Sequence, residues 1–261
     1  METRRSNLAA LVVNSSFGFA LGTVVAFLFY QVGLVAAGVL FNREPRWYPD
    51  RVEFAASGSD VAWSGGIVLV LLLGWALAGI YRGGARYDGT RLAVLWVTLH
   101  FFRQGLVPLL RAPFEEATDA GLALAATDLP ESLTTVIAVL GAAGLLAIGL
   151  LAAPALLRFA PENLSKKQNR VAFIGLVGIG AWLVGALLAL PLLVPGSASL
   201  AWELLPWSGA FLIFTLVASP EPRQIYAMRE PAKVAWGTLL LLVLLVVVAR
   251  FVLADGLVIT I

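Results

Sequence analysis

LAVLWVTLHFFRQGLVPLL, residues 92–110, decides how the chain is read. A bilayer core of about 30 Å needs about 20 helical residues. These nineteen are apolar enough to serve, yet they include His100, Arg103 and Gln104. An Arg at the centre of a membrane helix costs on the order of 2.5 to 3.5 kcal/mol by insertion scales, so this polar group is a candidate for function.

The composition around that stretch points to lipid as the solvent. Of 261 residues, 60% are hydrophobic and 13% charged, with a mean hydropathy of +0.89, whereas an average soluble domain carries about 25% charged residues. Further apolar runs lie on both sides of it, at about 8–40, 61–81, 133–157, 171–194, 200–219 and 234–253. A soluble core cannot absorb so many. The expected fold is an all-α integral membrane protein, a bundle of about seven transmembrane helices forming one domain over 1–261.

The first run exceeds the h-region of a signal peptide, about 7 to 15 residues, and is read as a retained span. At about 1.5 Å per residue it would measure roughly 50 Å. It must therefore tilt, protrude or break, and Asn14, Ser15 and Ser16 mark the expected break. Gly18 and Gly22 form a GxxxG pair that admits another helix at close range. In the polar stretch that follows, Pro45 and Pro49 argue against a regular helix, while Trp47 and Tyr48 suit the head-group level. Beyond Arg111 the pattern over 114–126 predicts a short interfacial helix. Asp128 and Glu131 predict a capped start to the next span.

Orientation follows from the basic residues. With the N-terminus inside, the inner connections hold Arg4 and Arg5, then Arg82, Arg86 and Arg91, then Arg158, Lys166, Lys167 and Arg170, and finally Arg223, Arg229 and Lys233. The outer ones hold only Arg43, Arg46, Arg51, Arg111 and Arg250. The positive-inside rule then places the N-terminus inside and the C-terminus outside. The rarity of lysine beside arginine suggests a prokaryotic cytoplasmic membrane.

Several chemistries are excluded. There is no cysteine and a single histidine, which rules out disulfides, thiolate metal sites, a cysteine nucleophile and any site of two imidazoles. No HExxH, P-loop or GxSxG occurs, and no basic cluster is dense enough for nucleic acid. No catalytic, metal-binding or cofactor-binding residue is therefore expected, and no cofactor. Glu203 reads as interfacial, and Glu115 with Glu116 as a solvated face.

At about 100° per residue, Trp96, His100, Arg103, Gln104, Val107 and Arg111 share one stripe of a helix. If the stripe faces a polar pocket, Arg103 binds an anionic head group or substrate and His100 takes part in hydrogen bonding or proton transfer. Otherwise Arg103 snorkels outward, and His100 is a neutral imidazole satisfied by a neighbouring helix through Asn14 or Gln31. An unwound Asn14–Ser16 segment would also suit an ion site built from carbonyls. The candidate intramembrane residues are thus His100, Arg103, Gln104, Asn14 and Gln31. Three functions remain open. The first is a non-enzymatic subunit or scaffold that meets partner helices or a second copy through Gly-rich faces such as Gly141, Gly144 and Gly149. The second is a transporter or lipid- or anion-binding protein that uses the polar stripe, and the third is an atypical membrane-embedded enzyme. Membrane lipids are expected partners in all three.

Overall fold

The computed structural model describes residues 2–55, 58, 60–83, 88–160, 164, 166–193, 209, 211–217 and 233–259. The axis of the bundle is α1 (Glu2–Leu40), a single helix of 39 residues. At about 1.5 Å per residue it is roughly 58 Å long, well beyond a hydrocarbon core of about 30 Å. It does not break at Asn14–Ser16. The Ser16 hydroxyl donates back to Val12 O at 2.9 Å, a bond within the helix that leaves the ladder intact. Asn14 satisfies the start of another helix instead, accepting from Ala235 N at 2.7 Å and donating to Lys233 O at 2.8 Å. No unwound segment is present there to hold an ion.

A short 3-10 turn (Val61–Ser64), capped by Asp60, leads into α2 (Gly65–Gly83). Asp88 caps α3 (Gly89–Arg111), accepting from Arg91 N at 2.9 Å. The predicted interfacial helix is α4 (Asp119–Ala125), started by Thr118. Next comes α5 (Glu131–Leu157), whose cap is Pro130 rather than Asp128, which has φ 50°. Glu131 does lie in its acidic first turn. The fifth predicted span is α6 (Lys167–Ile174), a π-helical stretch (Gly175–Gly180) and α7 (Ala181–Leu193). Most of the predicted span over 200–219, Glu203 included, lies outside the described residues; within it α8 (Leu212–Val217) packs on α5. The last long helix is α9 (Trp236–Leu253).

Among the described residues, six helical stretches are long and apolar enough to cross a membrane: 7–40, 61–82, 89–111, 131–157, 167–190 and 236–253. The helix-helix seams are made by small residues. A Cβ on Gly22 would lie 2.6 Å from His100 Cδ2 and 2.9 Å from Trp96 O, so only glycine lets α3 come this close. The glycines of α5 serve the same end inside the chain: Gly141 and Gly144 take Leu106 and Leu110 of α3, and Gly149 takes Phe211. Large apolar side chains such as Leu72, Trp75, Leu140, Leu151 and Phe251 remain on the outer surface of the bundle, as suits helices solvated by lipid.

One element departs from an all-α expectation. Strand β1 (Arg46–Trp47) pairs antiparallel with both β2 (Val52–Glu53) and β3 (Leu257–Val258), giving the order β2-β1-β3. Pro45 and Pro49 prevent a helix here, and the last described residues return to close the sheet. The start of α9 is bonded to Asn14 and its far end reaches this sheet beside Trp47, so α9 runs parallel to α1.

Candidate functional site

The polar stripe of α3 divides into two environments. Trp96 and His100 face the packed interior, where both are fully buried. His100 sits edge-on to Phe19 at 4.4 Å between ring centroids and to Phe211 at 6.3 Å, with Thr23 Oγ1 3.5 Å from Nε2. Trp96 Nε1 donates to Ser15 Oγ at 2.7 Å, and Ser15 in turn donates to Val177 O in the π-helical stretch. This relay ties α1, α3 and the fifth long helix together. His100 is thus sealed by aromatic packing and reaches Thr23, not Asn14 or Gln31. Asn14 belongs to the junction with α9 and is no part of a shared site with Arg103.

One turn further along α3 the surroundings change. Arg103 and Gln104 line a cavity of about 270 Å³ at the sheet end of the bundle. Gln31 and Tyr30 of α1 line it too, as do Asp50 and Arg51 from the β1–β2 connection and Asp119 from α4. Pockets that hold a drug-sized ligand run from roughly 300 to 1,000 Å³, so this one suits a smaller group.

Arg103 is only 3% exposed, so it does not snorkel to solvent. Its Nη2 donates to Gln104 Oε1 at 2.7 Å, its Nε has no partner, and no carboxylate pairs with it. The neighbouring arginines differ. Arg51 Nε donates to Glu53 Oε1 at 2.7 Å and its Nη1 lies 3.2 Å from Asp50 Oδ2, and Arg111 pairs with Glu115, its Nε donating at 2.9 Å.

Gln31 supplies a second unused donor. Trp47 Nε1 donates to Gln31 Oε1 at 2.8 Å, and an indole N–H can only donate, so the amide oxygen must face it. The Nε2 group is then left buried without a partner. Asp119 is partly buried on α4, and burial pushes its carboxyl up to about 6 from a usual value near 3.8; a hydrogen bond from the Tyr30 hydroxyl limits the rise.

The arrangement therefore holds unused donors, a buried cation bonded only to an amide and a free carboxamide N–H₂, in the same lining as the Asp119 carboxyl. Leaving a buried donor unsatisfied costs about 1–3 kcal/mol, more for a charged group, a cost that an incoming acceptor removes. Sequence reasoning placed Arg103, Gln104 and Gln31 among the candidates but missed Tyr30, Asp50, Arg51 and Asp119. Only the adjacency of Tyr30 to Gln31 offered a signal for any of these, because the others come from segments distant in sequence.

The class defined by this fold is a helical bundle with, among the described residues, six helices suited to crossing a membrane and a polar cavity between α1, α3 and α4. Comparison of the chain with protein-family models, with curated proteins and with solved structures finds no match.

Proposed function

We propose that the chain is a membrane protein of seven crossings, N-terminus inside and C-terminus outside, that binds an anionic group through Arg103 in an outward cavity. The group is a phosphate or sulfate-like anion, carried on a lipid head group or free. The observation that carries this reading is the buried Arg103 guanidinium, which lines a cavity and forms no ion pair with the carboxylates Asp50 and Asp119 there. A desolvated arginine is a strong anion ligand because its planar fork matches the oxygens of a phosphate or carboxylate.

Parity supports the seventh crossing. Gly185 packs on Ser16 and Phe19, while Ala189 clusters with Ala20 and Val24, so α7 runs in the same direction as α1. α9 runs that way as well. A seventh crossing between them agrees with these two directions, and the fully buried Phe211 and Thr215 fit it. The basic residues support the orientation. Docking of partner helices through Gly141, Gly144 and Gly149 has less support, because those glycines are taken up within the chain.

The absence of native cysteine makes topology simple to read. A membrane-impermeant maleimide applied to intact cells should label Glu44→Cys and leave Lys167→Cys unlabelled; the reverse pattern overturns the orientation. Binding is tested on purified protein by native mass spectrometry and thermal stabilisation, using sulfate, phosphatidylglycerol and phosphatidylcholine as probes. Stabilisation by sulfate alone indicates a free anion, and retention of phosphatidylglycerol alone indicates a lipid. Indifference to both, or equal effects in Arg103→Met, overturns the reading.

A further inference from the structure

The lining of the Arg103 cavity contains a group that opposes an anion. Besides three arginines it holds two carboxylates, Asp50 and Asp119. Asp50 is occupied by Arg51. Asp119 has no ion pair, and the neutral Tyr30 hydroxyl acts on its carboxyl from the same lining. An anion seated on Arg103 would share a cavity with this carboxylate, and two neighbouring like charges favour protonation of one of them.

Resting on the anion-binding reading above, we propose that the cavity takes up its anion together with one proton, held on the Asp119 carboxyl. The proton comes from the bulk phase on the cavity side. Once protonated, Asp119 becomes a hydrogen-bond donor, to the Tyr30 oxygen or to the bound anion. The groups around Asp119 are Tyr30 on α1, Arg103 and Arg111 on α3, Asp50 and Arg51 on the β1–β2 connection, and Glu115 and Glu116 ahead of α4. Asp60, at the 3-10 turn packed on α4, is paired with Arg43. Arg111 is held by Glu115, and Arg51 by Asp50 and Glu53. Asp119 and Arg103 are therefore the two lining charges without an ion-pair partner, and neutralising Asp119 leaves Arg103 free to take the anion. Burial supports this, since it already holds the Asp119 proton up to about 6.

The experiment measures the affinity of the full-length protein for sulfate and for phosphatidylglycerol from pH 5 to 7.5, a range in which neither probe titrates. Coupling to one proton weakens binding by up to about tenfold per pH unit above the carboxyl's midpoint. Asp119→Asn, which stays neutral, should bind tightly with less than about twofold variation over the range. Tyr30→Phe removes the bond that lowers the Asp119 midpoint, and should move the wild-type profile to higher pH. Binding that is equally strong at both ends in wild type, or an Asp119→Asn profile as steep as wild type, overturns the proton coupling and leaves the anion site standing. Failure of wild type to bind either probe at any pH overturns the anion site and the coupling with it.

Discussion

Replacing Arg103 with methionine separates function from stability. In the wild type the guanidinium is 3% exposed, bonded only to the Gln104 amide, with Nε unpartnered. A charged residue at membrane depth costs on the order of 2.5 to 3.5 kcal/mol, and a side chain left without its partners recovers little of that. Methionine has a similar length, no charge and enough flexibility to fill the space. Arg103→Met should therefore raise the stability of the anion-free protein by about 2 kcal/mol. With anion present the order should reverse. At an anion concentration of about 100 times Kd the wild type gains about 2.7 kcal/mol while the variant gains nothing. The assay is thermal unfolding in detergent with and without sulfate or phosphatidylglycerol. Marked destabilisation of the anion-free variant would refute the reasoning, because it would mean that Arg103 holds the bundle together.

Three further outcomes follow from the same contacts. Asn14→Ala removes both bonds to the start of α9 and should cost about 1–2 kcal/mol in thermal unfolding, with anion affinity unchanged. His100→Leu should leave stability within about 1 kcal/mol, since its only polar contact is a 3.5 Å approach to Thr23 and Thr23 keeps its bond to Phe19 O. Its anion affinity should match wild type, and a loss would return His100 to the site. Wild-type stability should fall as pH rises. The Asp119 carboxyl holds its proton up to about 6 when folded, against about 3.8 otherwise, so its contribution is full below the lower value and lost through the upper one. The loss amounts to at most about 3 kcal/mol, and urea or thermal unfolding of Asp119→Asn should lack that slope.

The long elements were legible in the sequence because apolar length is a direct consequence of the bilayer as solvent. The span over 92–110 became α3 at 89–111, and that over 133–157 became α5 at 131–157. Gly18 and Gly22 signalled a close helix contact that α3 does make. The break at Asn14 was not foreseeable either way: a polar side chain within a helix can unwind it or bond to a neighbour, and only the position of Lys233 and Ala235, more than two hundred residues away in sequence, decides which. The stripe on α3 was also legible as a stripe, but not its division. His100 and Arg103 are one turn apart, and their different fates depend on what the neighbouring elements present to each. Phe19 and Phe211 close around the imidazole, whereas Tyr30, Gln31 and α4 leave a space beside the guanidinium. Asp119 carried no signal of a site, because nothing local revealed that α4 packs against α3.

The most direct test of the account is an experimental density map of the protein crystallised from a lipidic phase containing phosphatidylglycerol and sulfate. Ordered density for a head-group phosphate or a sulfate within hydrogen-bonding distance of Arg103 and Gln31 Nε2 is the expected result. A cavity without bound anion, with the Arg103 guanidinium instead paired to a carboxylate of its own chain, would contradict it.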